Sequence, residues 1–442
     1  MKKTSLVLIG LALMTTIVIA AVPQSNANKF WPQWRGPLGT GEALFGNPPL
    51  QWSETQNIRW KAPIPGSGHA TPVIWDNQVF ILTAVPSGKT ATAEQIEAMK
   101  QSLPEWQRQS AKVPAEFMKF DIISLNRKDG TILWQKTLAE KLPHQGTHAD
   151  GSWASASPVT DGVHVFAYFG SFGLYCLDMQ GKLIWETDLG DLNIKMSFGE
   201  GSTPALYKDK LIVNWDHEGE SFITVLNKNT GKQVWKKQRD EKTSWATPLV
   251  VELNGKPTVV VSATGHVYGY DLNNGEILWE STGMTGNVVP TPVYADGMVY
   301  VMSGFRSAAL QAIKPGNAGD IVLWSYNKNT PYVPSPLLYK NNLYFFKENR
   351  AILTCLDALT GAPFYEAQRI DAMQGVYASP VAINDYIYLV SREGVTVVLR
   401  HGPALNIAAT NKLDESFTAS PVIVENELYL RGQKFLYCIA EK

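Results

Sequence analysis

The chain has 442 residues, of which 45% are hydrophobic and 18% are charged, with 35 Gly and 26 Pro. This composition provides many turns and enough apolar surface for a large core. The formal net charge is -1 and no block of basic residues occurs, so we expect neither nucleic acid nor an anionic membrane surface as a partner.

The first 27 residues are predicted to be a signal peptide. Lys2 and Lys3 precede the apolar run TSLVLIGLALMTTIVIAA, and the small residues SNA follow it. This order is typical of a secretory signal cleaved near Ala27, which predicts a periplasmic or secreted protein. An uncleaved membrane anchor is the alternative interpretation. No Cys lies near the cleavage site, so we expect no lipid anchor.

Residues 28–56 are expected to form an N-terminal arm outside the repeats that follow. The segment WPQWRGPLGTG (31–41) contains several glycines. No strand is predicted before it and no helix after it, so we do not expect a phosphate-binding loop. We expect Trp31, Trp34 and Arg35 to pin this arm against the folded domain.

From residue 57 onward the sequence is repetitive. Each unit begins with a Ser or Thr that precedes Pro and an apolar run, and these marker residues are Thr71, Ser157, Thr203, Thr247, Thr291, Ser335, Ser379 and Ser420. From Thr203 to Ser379 the markers recur every 44 residues. Several short strands within a period of roughly 40–50 residues are typical of β-propeller blades.

A second pattern marks the end of a unit. In YDLNNGEILWE (270–280) a polar turn ends at Gly275, and Ile277 and Trp279 then alternate with other residues as in a half-buried strand. Asn and Gly in such turns favour a hairpin. Similar strings occupy 125–135, 177–186, 226–236, 313–325 and 356–366. The predicted fold class is therefore all-β, an eight-bladed β-propeller with four-stranded antiparallel blades.

The last unit lacks its turn and its fourth strand. After Ser420 and Pro421 the chain supplies three strands and ends, whereas NIRWKAPIPG (57–66) resembles a fourth strand and precedes the first marker. We therefore predict that residues 57–66 complete blade eight and close the ring by pairing the N- and C-terminal strands. Such closure removes an open sheet edge. The propeller is expected to span residues 57–442.

Blade one is longer than the other blades. Its interval from marker to Trp is 63 residues, against 28 to 33 in blades two to five. The extra stretch, residues 85–117, falls between the second and third strands. Thr92 and Gln95 predict a capping box that starts a helix, and Pro104 is expected to end it. The connections after blades one and two are also long, so we expect one elaborated rim on blades one to three.

The elaborated rim carries the candidate site residues. Its polar segments contribute His144, His148, Asp150, Glu200, Asp216, His217 and Glu218. We expect them near the mouth of the central channel, where imidazole and carboxylate groups could bind a metal ion or another ligand. Their spacing matches no metal-site template, and ordinary solvated loops are the alternative. His69, Trp153 and Trp245 precede markers and are expected to border the channel, either stacking on a flat ligand or packing.

The three cysteines occupy equivalent places in three units. Cys176, Cys355 and Cys438 lie in LYCLD, LTCLD and LYCIA. No Cys-x-x-Cys or adjacent pair occurs. We therefore expect small buried core residues in three third strands.

The repeated Asp/Asn–turn–Gly–x–x–x–Trp unit resembles the tryptophan-docking motif of the eight-bladed quinoprotein propellers. Residues 31–41 and 151–190 resemble secreted PQQ-like propeller proteins, and the resemblance covers residues 30–442. This superfamily includes alcohol dehydrogenases that use pyrroloquinoline quinone (PQQ) and the barrel-assembly lipoprotein of Gram-negative outer membranes. The resemblance implies the fold but no single function, because the name of the repeat does not imply bound quinone.

Two departures separate the chain from these relatives. The quinoprotein dehydrogenases carry adjacent cysteines over the cofactor, a calcium site and a catalytic Asp, and we can match none of these to positions in this sequence. The assembly lipoprotein is lipid-anchored, and this chain lacks the Cys for such an anchor.

We therefore expect an exported, monomeric, non-catalytic propeller that binds a protein or polysaccharide partner through the rim of blades one to three. No cofactor, metal ion or catalytic residue is expected for this function. The alternative is a quinoprotein-like oxidoreductase that binds PQQ with calcium in the central channel.

Overall fold

The structure is a computed structural model that describes residues 27–103, 105–108, 113–316 and 321–441. Within these residues, 32 strands form eight four-stranded antiparallel sheets. The predicted eight-bladed propeller is thereby confirmed. The predicted signal peptide, apart from Ala27, lies outside the described residues.

The first four blades follow one another along the chain. Blade one comprises β2 (Val73–Trp75), β3 (Gln78–Thr90), β4 (Glu116–Asn126) and β5 (Ile132–Lys141). Blade two comprises β6 (Val159–Thr160), β7 (His164–Tyr168), β8 (Leu174–Asp178) and β9 (Leu183–Thr187). Blade three comprises β10 (Ala205–Tyr207), β11 (Lys210–Trp215), β12 (Phe222–Asn227) and β13 (Gln233–Gln238). Blade four comprises β14 (Leu249–Leu253), β15 (Lys256–Ser262), β16 (His266–Asp271) and β17 (Ile277–Thr282).

The remaining blades continue this order, with one exception in blade eight. Blade five comprises β18 (Val293–Ala295), β19 (Met298–Ser303), β20 (Ala309–Ile313) and β21 (Val322–Ser325). Blade six comprises β22 (Leu337–Tyr339), β23 (Asn342–Lys347), β24 (Arg350–Asp357) and β25 (Pro363–Arg369). Blade seven comprises β26 (Val381–Ile383), β27 (Tyr386–Val390), β28 (Val395–Arg400) and β29 (Asn406–Lys412). Blade eight comprises β30 (Val422–Val424), β31 (Glu427–Arg431), β32 (Phe435–Ile439) and β1 (Ile58–Pro63).

Blade eight closes the ring as predicted. The N-terminal strand β1 pairs antiparallel with β32, the last strand of the chain, with Trp60 opposite Cys438 and Ala62 opposite Leu436. The two ends of the chain therefore share one sheet, and the first and last blades become neighbours.

The marker residues form a closed cycle of hydrogen bonds around the channel. The main-chain N–H of Thr71 donates to the hydroxyl of Ser157 at 3.0 Å, and that of Ser157 donates to Thr203 at 3.0 Å. The same bond repeats from Thr203 through Ser379. The N–H of Ser379 then donates to Ser420, and the N–H of Ser420 returns to the Thr71 hydroxyl at 3.2 Å. Eight bonds therefore join eight blades without a gap.

Tryptophans of the fourth strands join neighbouring blades at the periphery. Trp185 of β9 donates from Nε1 to the carbonyl of Lys228, in the turn of the next blade, at 2.9 Å. A Cβ at Gly231 in that turn would lie 2.6 Å from the Trp185 ring, so the close contact requires glycine. The equivalent bond to the next turn is made by Trp60, Trp134, Trp235 and Trp324.

Burial follows the position of each strand within a blade. In blade two, β7 and β8 are mostly buried, whereas most of β9 is exposed. Cys176, Cys355 and Cys438 lie in the third strands of their blades and are free and buried, as predicted. Burial raises the pKa of each thiol to about 12, so these residues are core groups rather than nucleophiles.

The N-terminal segment 31–43 crosses one end of the channel. Trp31 is buried and exchanges main-chain hydrogen bonds with Ile74 of β2. The buried Arg35 guanidinium donates to the carbonyls of Thr40, Pro336 and Pro380 at 2.7 to 2.9 Å. We call this end the lower face. The opposite end, where the connections between blades and the hairpins between second and third strands lie, is the upper rim.

The long hairpin of β3 and β4 carries helix α1 (Ala93–Ser102) and a helical turn α2 (Glu105–Arg108) at the upper rim. Thr92 and Gln95 form the predicted capping box. Helix α1 ends two residues before Pro104, which lies outside the described residues. Throughout the described ranges, no helix combines the length and the apolar character needed to cross a membrane.

We predict that Ser335→Ala destabilises the ring by about 1–3 kcal/mol, because it leaves the buried N–H of Thr291 without an acceptor. The measurement is the free energy of unfolding in urea. Ser335→Thr is the matched control, since it keeps a hydroxyl at this position. Equal stability of the alanine variant and the wild type would contradict a structural role for the cycle.

Candidate functional site

A cavity lies on the ring axis at the upper end of the channel. Its volume is about 400 Å³, within the roughly 300–1,000 Å³ that small-molecule sites occupy. Five marker residues line it: Thr71, Ser157, Thr203, Ser379 and Ser420. Trp34 of the N-terminal segment also lines it and provides its floor. The cavity is therefore a pocket that faces the upper rim.

The residue two positions before each marker faces the cavity in every blade. These residues are His69, Ser155, Gly201, Trp245, Val289, Val333, Tyr377 and Thr418. The repeated backbone places this position at the axis each time, whereas its residue type ranges from Gly and Val to His, Tyr and Trp. The frame of the cavity is thus nearly eightfold, but its chemistry is not.

Aromatic side chains cover much of the cavity wall. On one side, Trp245 and Phe198 lie with ring centroids 6.4 Å apart, and Trp245 donates from Nε1 to the carbonyl of Gly199 at 2.7 Å. Across the ring, Phe305 and Tyr332 lie with centroids 5.0 Å apart. These groups give the pocket large apolar faces with fixed orientation.

Asp150 connects two sides of the cavity mouth. It lies in the connection between β5 and β6, and its carboxylate binds Arg392 of blade seven at 2.5 Å and the Tyr377 hydroxyl at 3.2 Å. Its main-chain N–H donates to Nδ1 of His148. Partial burial opposes ionisation, but the hydrogen bond and charge of Arg392 outweigh it and lower the pKa of Asp150. The connection therefore spans the mouth as a tethered loop.

Glu200 is the second carboxylate of the cavity. Its oxygens accept from the Ser171 main-chain N–H at 2.8 Å and the Ser171 hydroxyl at 2.6 Å. Gly170, with φ of 57°, leaves the space that the carboxylate fills, since a Cβ there would lie 1.5 Å from Oε2. Removal from water raises the pKa of Glu200 to about 7, and the charge of Asp191 adds to this.

His69 is a cavity residue whose ring is free of hydrogen bonds within the described residues. Its main-chain N–H donates to Ala154. Burial, together with the positive charges of Arg431 and Arg392, lowers the pKa of His69 to about 4. The imidazole is therefore neutral at neutral pH and offers one donor and one acceptor to the cavity.

Five of the ten candidate residues line the cavity: His69, His148, Asp150, Glu200 and Trp245. The other five lie outside it and have partners in the fold: His144, Trp153, Asp216, His217 and Glu218. His144 contacts the carbonyl of Leu192 and Trp153 donates to Gln145. These side chains therefore serve packing and loop structure, and the expected single cluster at the channel mouth is divided.

Asp216, His217 and Glu218 follow β11 of blade three, and each has a hydrogen-bond or ion-pair partner. The Asp216 carboxylate forms a buried ion pair with Arg239 at 2.7 Å. His217 accepts at Nδ1 from Asn193, and Glu218 accepts from the Thr243 hydroxyl at 2.7 Å.

The sequence analysis missed the part of the wall contributed by blades five to seven. Phe305, Tyr332 and Tyr377 line the cavity, and Arg392 binds Asp150. Loop length was the signal used to choose candidate residues, and the longest loops belong to blades one to three. The available signal was the position two residues before each marker, which identifies Tyr377 as readily as His69 or Trp245.

The residues at the cavity do not fit calcium-bound PQQ. Throughout the described ranges, no three His, Cys, Asp or Glu side chains are arranged to hold a metal ion. PQQ is a tricarboxylate and needs cationic partners. Among the described residues lining the cavity there is no Lys or Arg, and the nearby Arg392 already pairs with Asp150. We therefore derive no reaction step through this cofactor.

Comparison with protein families gives one match over most of the ring. Residues 118–282 and 219–441 match the family described as outer membrane protein assembly factor BamB. The matched segments overlap and together reach from blade one to the last strand.

Individual relatives match parts of the chain. Outer membrane protein assembly factor BamB of Shewanella oneidensis is 25% identical over 290 residues, which cover 63% of this chain and 66% of that protein. Quinoprotein alcohol dehydrogenase PedH of Pseudomonas putida is 29% identical over 136 residues, 29% of this chain and 21% of that protein. The chain thus spans less than two thirds of the length of either relative.

Among solved structures, BamB from Moraxella catarrhalis superposes with a TM-score of 0.52 and 18% identity, covering 72% of this chain and 91% of that chain. At this identity the likeness concerns the fold alone.

We predict that Glu200→Gln removes a pH dependence of stability. The pKa of Glu200 is raised from 4.5 to about 7, so between these values the folded protein keeps a proton that the unfolded chain releases. Wild-type stability therefore falls as pH rises through this range. The measurement is the melting temperature of both proteins between these pH values.

Glu218→Gln is the matched control, since Glu218 also accepts from a hydroxyl but lies outside the cavity. The difference in melting temperature between the wild type and Glu200→Gln should change across this pH range. A constant difference would contradict the raised pKa of Glu200.

Proposed function

Because the chain belongs to the family of the outer membrane protein assembly factor BamB, we propose that it is an exported propeller that binds protein partners. Its place of action is the periplasm, in the assembly of outer membrane proteins, and its role is that of a scaffold without catalysis. The family match and the signal-like first residues support this proposal. Polysaccharide is the alternative partner at the same rim.

One observation carries the proposal: blade one presents a helix that the fold does not bury. No residue of α1 is buried, and a helix of this length is marginal in water without tertiary contacts. Its capping box fixes the first turn. Ile96 and Met99 are half-exposed and, three positions apart, share one face. Such a face is suited to packing in a groove of another protein.

The hairpin that carries α1 is braced against its own blade. Lys89 of β3 binds Glu140 of β5 at 3.1 Å and lies over the ring of Phe117. The N–H of Ala91 donates to the carbonyl of Ala115 at 2.9 Å and closes the base of the insertion. The helix is therefore held away from the ring by the β3–β4 hairpin, whose pairing shifts register between Pro86 and Thr90.

We predict that a photo-reactive amino acid at the exposed Ala98 of α1 forms a discrete adduct with a protein partner in cells that export the chain. The measurement is mass spectrometry of the adduct. The matched control is Asn274, an exposed residue in a turn of the lower face. Adducts of equal yield at both positions, or none at Ala98, would count against the rim as a protein-binding surface.

Shortening the insertion is predicted to abolish binding of that partner while leaving the ring folded. Residues 92–114 are replaced by Asn-Gly, which favours a two-residue hairpin turn between Ala91 and Ala115. Co-purification of the cross-linked partner then measures binding, and circular dichroism checks the fold. Full co-purification with the shortened, folded chain would contradict a role for α1.

A further inference from the structure

We propose that the cavity on the ring axis binds a neutral saccharide of one or two sugar units. The site is distinct from the protein-binding rim, and the inference does not depend on that function. Its basis is the combination of flat aromatic faces, hydrogen-bonding side chains without Lys or Arg, and a closed floor.

The shape of the cavity suits a small ligand rather than a polymer that passes through the ring. Trp34 lies at its floor and the segment around Arg35 fills the channel below. The mouth opens on the upper rim beside the loop that Asp150 tethers to Arg392. A ligand therefore enters and leaves from one side, and its size is limited by a volume of about 400 Å³.

The aromatic lining provides surfaces on which a sugar ring can stack. Sugar C–H groups carry partial positive charge on one face of the pyranose ring, and aromatic rings present a negative face. Trp245 is held by its bond to Gly199, so its ring is already oriented before a ligand arrives. Tyr332 and Tyr377 extend the aromatic wall on the other side. This preorganisation lowers the entropy cost of binding.

The polar groups that face the cavity match sugar hydroxyls. The ring of His69 has no hydrogen bond within the described residues, and Glu200 accepts bonds from Ser171 while also lining the cavity. The marker hydroxyls accept main-chain N–H groups around the cycle. Their own hydrogens have no acceptor within the described part of the chain and can be donated inward. Hydrogen-bond donors and acceptors therefore face the cavity beside its aromatic groups.

The charge of the lining argues against anionic ligands. The described lining residues include two carboxylates and no Lys or Arg. Asp150 is neutralised by Arg392, which leaves Glu200 as the unpaired acid. A quinone tricarboxylate or a nucleotide would therefore find no Lys or Arg among the described lining residues, whereas a neutral sugar needs none.

The test is saturation-transfer difference NMR with glucose, N-acetylglucosamine, maltose and cellobiose, followed by calorimetric titration of the best ligand. We expect a Kd of about 1 mM. At a sugar concentration of roughly 10 mM, the C–H groups of at least one of these four sugars should therefore give signals. His69→Ala should weaken this binding about fivefold through lost hydrogen bonds, and Trp245→Ala about tenfold or more through lost stacking.

His144→Ala is the matched control, since His144 is a half-buried histidine of the same rim that lies outside the cavity. Because the His69 ring bonds to nothing in the described fold, His69→Ala should melt like the wild type. Trp245→Ala also removes the hydrogen bond to Gly199 and can therefore affect the fold. His69→Ala tests saccharide binding without that effect.

Three results would overturn the proposal. These are the absence of saccharide signals, binding that persists unchanged in both His69→Ala and Trp245→Ala, and saturable binding of PQQ or a short peptide with none of the sugars. The chain without residues 92–114 should keep full saccharide binding, so this site and the protein-binding rim can fail separately.

Discussion

The closed cycle of hydrogen bonds between marker hydroxyls and marker amides is the constraint on which the ring depends. Each marker precedes a Pro, which has no N–H, so the marker amide is the last donor before the inner strand begins. A buried amide needs an acceptor, and the hydroxyl of the next blade supplies it. The cycle closes when the amide of Ser420 reaches Thr71. This contact requires β1 to complete blade eight, so both ends of the chain are held in place.

Within each repeat, one position stabilises the ring and another position faces the cavity. The marker position must be Ser or Thr in every blade, because its hydroxyl joins the cycle. The position two residues earlier faces the axis and has no such duty, so it varies from His69 to Gly201, Trp245 and Tyr377. Such an arrangement places eight variable positions around one cavity. Specificity can therefore change without altering the contacts that hold the ring together.

The fold was predictable because its signals are local and repeated. A Ser/Thr–Pro pair, a Gly turn and a Trp recur at one period, and a missing fourth strand pointed to residues 57–66. The cavity was only half predictable. Loop length and polarity identified His148, Asp150 and Glu200 but also Asp216, whose ion pair with Arg239 joins side chains that no local pattern links. The contact of Asp150 with Arg392 spans 242 positions, and such pairings depend on the closed ring.

The N-terminal segment leaves the upper rim as the open side of the cavity. Arg35 is buried against three main-chain carbonyls and, among the described residues, has no carboxylate partner. Burial lowers its pKa to about 9. It remains a cation at neutral pH, held by carbonyl dipoles alone, and its segment occupies the lower end of the channel. Access to the cavity is therefore from the upper rim, where α1 stands.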